Sequence, residues 1–499
     1  MRPADLAVFV GYLALSLAVG AATARRQRNA EEFFLAGRSM RWLPVGLSIM
    51  VTAFSAINYT AFSGEVFEHG LYVALALPAF VLVAPPVTRV VMPFFHGMAL
   101  CSAYEYLERR FDRRVRRLAS GLFILWRLLW MATLVYVPCR VLGLVTGMDT
   151  TTLVLVAGVA TTVYTLAGGM RAVMWTGVMQ FVVIVGGLVL ALAVAGQRAD
   201  GGLWGLVEQG AAAGLTRPFY PFDPAILSLD PQVRISLWSA LLGTFVAFLA
   251  RYGCDQVIVQ RYFSARTLAD AQRGFHASYV AMLVALVSLA LLGYAIHAHV
   301  TRSGLALTGG ARAMAGFAAF VRSLPAGLTG LIVAGLFAAT MSSLDAGINS
   351  CAAAYLIDFR RESAPPAGPL VVRQGRWASL VIGAAATAGA LQIGHLGSIF
   401  EVANRVINGL GSPLLGLFAL AMFSHRANSR GVLVGGLIGT AASAWLSLAA
   451  DHLALHYYAV LNLAVTWVPC YVLSLIENRW TGPPTPAQLA WTWVGRRRA

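Results

Sequence analysis

From Ala339 to Ser350 the chain reads ATMSSLDAGINS, two adjacent serines followed two residues later by an aspartate. Hydroxyl and carboxylate oxygens are hard donors suited to a small cation or a proton. The stretch lies in a long apolar run, Gly330 to Phe359, able to cross a bilayer, where a carboxylate is costly and rarely left unpaired. Catalysis is a poor alternative. A serine nucleophile needs a neighbouring base, yet the chain has no lysine and this run has no histidine. For the serines the other reading is a hydrogen bond back to a carbonyl one turn earlier. For Asp345 the alternatives to a cation are a proton or an arginine partner.

The elements that hold these groups follow from composition. Hydrophobic residues make up 58% of the 499 and charged residues 12%, with a mean hydropathy of +0.71. A soluble chain carries about 25% charged residues. Apolar runs of about 20 residues recur, each long enough for roughly 30 Å of hydrocarbon. They predict about 13 spans, at 4–23, 42–67, 71–92, 117–146, 150–168, 173–196, 235–262, 275–300, 328–357, 376–396, 398–424, 430–450 and 455–476.

The net charge of +16 comes from 37 basic residues, all arginine. Roughly 25 fall in one alternate set of loops and roughly 7 in the other, which predicts an external N-terminus and a cytosolic C-terminus. The charge therefore reports topology, and no nucleic-acid partner is expected. Five scattered cysteines have no zinc or disulfide spacing. The first apolar run precedes its arginine cluster, so it reads as a retained helix in preference to a signal peptide. External connections are expected at 197–234, turn-rich with little regular helix, and at 301–327. No Walker motif suggests ATP as a driving force.

The second span, VGLSIMVTAFSAINYTAFSGEVFEHG, is interrupted by Ser, Thr and Asn and then by SGE. Polar, glycine-containing breaks point to discontinuous helices that bind ions and substrates at midplane. Close packing through small residues is the competing reading.

The stretches EEFFLAGRSMRWLPVGLSIMVTAFSA, SAYEYLERRFDRR, YTLAGGMRAVMWTGVMQF, DQVIVQRYF and SSLDAGINS occur in an order that resembles the sodium/solute symporter family, from about Glu31 to Ser424. The motifs look closest to its monocarboxylate, iodide and vitamin branch. The resemblance implies an all-α polytopic membrane protein with the leucine-transporter-like fold. Two inverted five-helix repeats would span 42–196 and 235–424. Around them would lie a leading helix and cytosolic loop (1–41), an external loop (197–234) and trailing helices with a cytosolic C-terminus (425–499).

The resemblance also implies a Na⁺ site, with Na⁺ the co-transported ion. Its ligands would be the carbonyls of Val51, Phe54 and Ala339 and the hydroxyls of Ser342 and Ser343. Some members hold a second Na⁺ through an aspartate in W-T-D. Here that triplet is Trp175-Thr176-Gly177, so Asp345 is the candidate to bring a carboxylate to the same volume, for Na⁺ or for a proton.

Substrate contacts implied by the match are Ala53, Ser55 and Asn58, with Val73 and Leu77 on the next span. So few donors suit a small or partly apolar solute better than a sugar. The sialate-type arginine position falls on Trp130. Arg127, near midplane by rise per residue, is the first candidate to grip a carboxylate. Arg251 and Arg405 are further ones, each as well explained by a pair with Asp255 or Glu401, and Arg140 reads as a snorkelling residue.

The expected function is Na⁺-coupled symport of a small organic anion through the cell membrane by alternating access. Alternatives are a sialate, sugar or amino-acid symporter, or a sensor on the same fold, which would carry a signalling domain not seen here. The expected partners are the solute and the lipid bilayer, with no obligate protein partner evident.

Overall fold

The computed structural model describes residues 1–24, 27, 29–98, 100–307, 312–359, 369–393, 399–449, 454 and 456–498. Of residues 24, 369, 399–410, 448 and 497–498 it describes the backbone alone. The long helices are α1 (Pro3–Ala24), α2 (Trp42–Ala53), α3 (Ala56–His69), α4 (Arg113–Thr146), α5 (Thr150–Arg198), α6 (Leu237–Gly253), α7 (Gln256–Ser264), α8 (Leu268–Arg302) and α9 (Leu328–Asp358). α10 (Pro369–Ile393), α11 (Ile399–Phe423), α12 (Ser429–Ala449) and α13 (Tyr457–Thr481) follow. Isolated bridges, such as Met40 to Ala265, are the only strand-like pairing among the described residues.

Helix lies in every expected span, but the number of crossings differs. Seven described helices are long and apolar enough to cross a membrane, or nine when each of two bent pairs counts as one. The expected spans 150–168 and 173–196 form one helical run, α5, interrupted at Gly169 (φ 54°, ψ −151°). A Cβ there would sit 2.6 Å from the Phe33 carbonyl, so only glycine fits the kink. The stretch 197–234, expected to hold little regular helix, also departs from expectation, since it contains the helix Gly202–Ala212.

α9 is the axis of the molecule. Of its most apolar stretch, 94% is buried inside the protein, against 22% for α1, so α9 faces protein and not lipid. It packs on α1, α2, α4, α5 and α10. Its two ends are fixed by charge. Asp5 of α1 accepts from the amides of Gly327 (2.7 Å) and Gly330 (3.0 Å), satisfying donors the first turn leaves free. At the other end Asp358 accepts from Arg116 Nε (2.8 Å), Ser120 (2.8 Å) and Ser102 (2.9 Å).

The arginine cluster at 108–117 is therefore more than loop charge. Arg116 pins α9, and Arg110, fully buried, donates to the carbonyls of Ala421, Ser424 and Ala427. Small residues let helices meet elsewhere, as at Gly46 of α2, where a Cβ would lie 2.5 Å from the Gly274 carbonyl of α8.

Candidate ion and solute site

The first bent pair is α2 and α3, which meet at 60° across Phe54 and Ser55. Phe54 (φ −94°, ψ 97°) leaves the helix, and Ser55 caps α3 by accepting from the Asn58 amide at 3.4 Å. The last carbonyls of α2 thereby lose their amide partners one turn on. The expected second interruption, SGE at 63–65, lies inside α3 without breaking it. Ser63 donates back to the Tyr59 carbonyl (2.8 Å), and Gly64 makes room for Ala313. There the packing reading holds.

Opposite the break α9 presents the serine pair, both residues buried. Ser342 Oγ donates to the Val51 carbonyl at 3.0 Å and to the Ala339 carbonyl at 2.9 Å, and Ser343 Oγ reaches Ala339 at 3.2 Å. Back-bonding accounts for the Ala339 contacts. It does not account for the reach of Ser342 to a freed carbonyl on another helix. Four of the five expected oxygens thus converge, and the fifth, on Phe54, lies in the break three residues beyond Val51.

Asp345, 1% exposed, accepts from Tyr164 Oη at 2.5 Å and from Thr176 Oγ1 at 3.5 Å. Thr176 is the middle residue of Trp175-Thr176-Gly177, so the carboxylate from α9 stands beside the triplet that lacks one. Gly177 itself faces Ser48 of α2, whose hydroxyl accepts from Arg261 Nε at 3.0 Å. Among the described residues, Asp345 forms no ion pair within 4 Å; Arg261 acts on it only through its longer-range field. The arginine-pair alternative therefore has no contact to support it among the described residues.

A second break was not legible in the sequence. The expected span 235–262 is two helices, α6 and α7, bent by 49° at Cys254 and Asp255. Asp255 accepts from the Val257 amide (3.0 Å) to cap α7. The available signal was Gly253-Cys254-Asp255, a helix-stop residue followed by a helix-start residue inside an apolar run. This break opens on a cavity of about 150 Å³ with Trp126, Arg127, Trp130, Phe248, Arg251 and Asp255 in its wall.

Arg127, the first expected carboxylate grip, lines that cavity but is already committed. Its guanidinium is in a buried ion pair with Asp255 and lies 4.9 Å from the centre of the Trp126 ring. Arg251 instead donates to the Thr52 carbonyl at 3.4 Å. The expected contacts Ala53, Ser55, Asn58, Val73 and Leu77 do not line this cavity. Ser55 and Asn58 are turned on each other (Oγ to Oδ1, 2.9 Å), and Val73 and Leu77 pack partly buried against the main core. Arg140 is exposed, as a snorkelling residue would be. The side chains of Glu401 and Arg405 lie outside the described residues.

Two discontinuous helices facing a central helix that carries hydroxyls and a carboxylate define an ion-coupled secondary transporter. The chain belongs to the sodium:solute symporter family, whose profile matches residues 33–439. It is 29% identical to the bovine sodium-coupled monocarboxylate transporter 2 over 89% of its own length and 72% of that protein's. Identity to the human sodium/iodide cotransporter and to the rabbit sodium-dependent multivitamin transporter is 32%, over 89% of this chain and 70% of each.

Among solved structures, a Na⁺-coupled sialic acid symporter in a substrate-bound outward-open state superposes with a TM-score of 0.85, covering 95% of this chain and 98% of that one at 24% identity. At that identity the likeness speaks for the fold. The protein is a multi-pass Na⁺-coupled solute symporter, and Na⁺ is its co-transported ion.

Proposed function

We propose that this symporter carries a small organic anion, a monocarboxylate or close relative, into the cell by alternating access. The observation that carries the coupling is the convergence of Val51, Ala339, Ser342 and Ser343 oxygens across two helices, one of them broken. Na⁺ binds there, with the Phe54 carbonyl completing the set. Each ligand is a hard oxygen, and the hydroxyl protons now aimed at carbonyls turn away when the ion arrives. A second cation, Na⁺ or H⁺, binds at Asp345 with Thr176 and Tyr164.

The anion reading is supported by the second cavity, where two guanidiniums face one carboxylate and the other walls are largely aromatic. Relatives named for monocarboxylate and iodide transport point the same way. The two breaks stand at the heads of the proposed inverted repeats, 42–196 and 235–424, so the site lies where the repeats meet. Each charge entering gains about 2.3 kcal/mol per 100 mV of membrane potential.

Uptake of labelled anions, sugars and amino acids into proteoliposomes, with and without an inward Na⁺ gradient, tests this. Na⁺-dependent accumulation of a short monocarboxylate is expected, and preference for a sugar or a cationic amino acid rejects it. Orientation, with the N-terminus outside, is tested by cysteine labelling, for which the background is low because all five native cysteines are buried. A cysteine at Tyr220 should react from outside and one at Ala490 only from inside.

A further inference from the structure

The cavity at the second break holds more donors than its walls satisfy. Asp255 is taken by Arg127, which leaves Arg251, half-buried, with one hydrogen bond among the described residues, to the Thr52 carbonyl. Two donors in the same wall, Trp126 Nε1 and Arg127 Nε, have no partner among the described residues, in residues 7% and 4% exposed. Buried donors without acceptors are rare and destabilising. Two unmet donors, beside an Arg251 guanidinium that has no carboxylate partner among the described residues, call for an anionic acceptor brought from outside.

We infer that Arg251 grips the transported anion. Its fork donates to a carboxylate that also accepts from the Trp126 indole, while the solute's apolar body lies against Trp130 and Phe248. This rests on the organic-anion reading above and gives it a side chain. Arg127 is a positioning residue, its charge balanced by Asp255.

The same placement couples anion to cation. Thr52, held by Arg251, directly follows Val51, whose carbonyl meets Ser342, and successive Cα atoms are about 3.8 Å apart. A guanidinium that close, in a low-dielectric interior, repels Na⁺ from the serine site. An anion on Arg251 cancels the repulsion, so each ligand tightens the other's binding by the same factor.

The test uses the full-length protein, with labelled propionate for uptake and ²²Na⁺ binding measured with and without unlabelled propionate. In the wild type, propionate should tighten Na⁺ binding. Arg251→Gln should raise the propionate KM by about tenfold or more and abolish that coupling, while Na⁺ binding without solute tightens. Arg251→Lys should fall between the two. Trp126→Phe should raise KM by about threefold with solute-free Na⁺ binding unchanged.

A wild type that takes up only neutral sugars defeats the organic-anion reading itself. A wild type that takes up propionate, with a normal KM in Arg251→Gln, overturns the grip and leaves that reading standing. Weaker solute-free Na⁺ binding with normal KM would make Arg251 a brace for α2 and also overturn it. If Arg251→Gln fails to reach the membrane, unchanged KM in both Arg251→Lys and Trp126→Phe is decisive against the proposal.

Discussion

The two broken helices make the same interruption with opposite chemistry. At Phe54 and Ser55 the break is uncharged, capped by a hydroxyl, and its freed Val51 carbonyl meets serine oxygens. At Cys254 and Asp255 the cap is a carboxylate, paired with Arg127, and a second guanidinium stands one turn earlier. Unwinding exposes carbonyls at one side of a break and amides at the other, so the backbone alone serves either sign of ligand. The side chains around each break choose. On the proposed reading, converging oxygens suit the first to a cation, and the Arg251 guanidinium suits the second to an anion.

The largest effect should come from unbalancing the charged break. Arg127→Gln leaves Asp255 buried without its partner, at a cost of about 3–5 kcal/mol, and should lower thermal stability and surface yield sharply. Arg127→Gln combined with Asp255→Asn removes both charges and should recover most of the loss in a melting assay. A double variant as unstable as the single would mean Arg127 acts through its stacking on Trp126 and not through the pair.

The uncharged break should respond in affinity, not in stability. Ser342→Ala with Ser343→Ala removes two hydroxyl ligands from a helix that stays fully packed. Na⁺ half-saturation should rise by at least about tenfold, or about 1.4 kcal/mol, with normal amounts of protein in the membrane. Unchanged Na⁺ dependence would reduce the serines to back-bonding groups.

Asp345 then asks whether the cation side holds one ion or two. If it binds Na⁺, Asp345→Asn should lower the Na⁺ Hill coefficient toward one and reduce the charge carried per solute, leaving the serine site working. If it binds a proton, current per solute at fixed pH changes little and the pH dependence of uptake flattens. Paired current and flux measurements separate the two, and a variant identical to wild type in both removes Asp345 from the mechanism.

What could be read from sequence follows the same division. Ser342, Ser343 and Asp345 stand out because polar groups are conspicuous in an apolar run, and the first break announces itself through Ser55 and Asn58. Its position was less legible. SGE carries the stronger helix-breaking composition, yet Gly64 is spent on contact with Ala313, which only the packed structure reveals. The second break hid behind one aspartate, and its meaning depends on Arg127, 128 residues away in the chain. A charge pair between distant helices leaves no local periodicity or spacing to detect. For the same reason the sequence pointed to Arg127 without showing that Asp255 pairs with it, while Arg251, in the same cavity wall, has no carboxylate partner among the described residues.

The smallest effect sharpens the contrast from the cation side. Ser55 was expected to touch solute, but its geometry is that of a helix cap, with its hydroxyl donating to Asn58 Oδ1 and accepting from the Asn58 amide. Ser55→Ala removes that cap and should cost about 1 kcal/mol of stability, visible as a small drop in melting temperature. Solute KM should move by less than about twofold, because this cap carries no charge and stands outside the cavity of the second break. Asp255 has the equivalent place on α7, and its loss disturbs a charge balance as well as a cap. If Ser55→Ala instead raised KM as much as Arg251→Gln, both breaks would bind the solute, and the assignment of one ligand sign to each would fail.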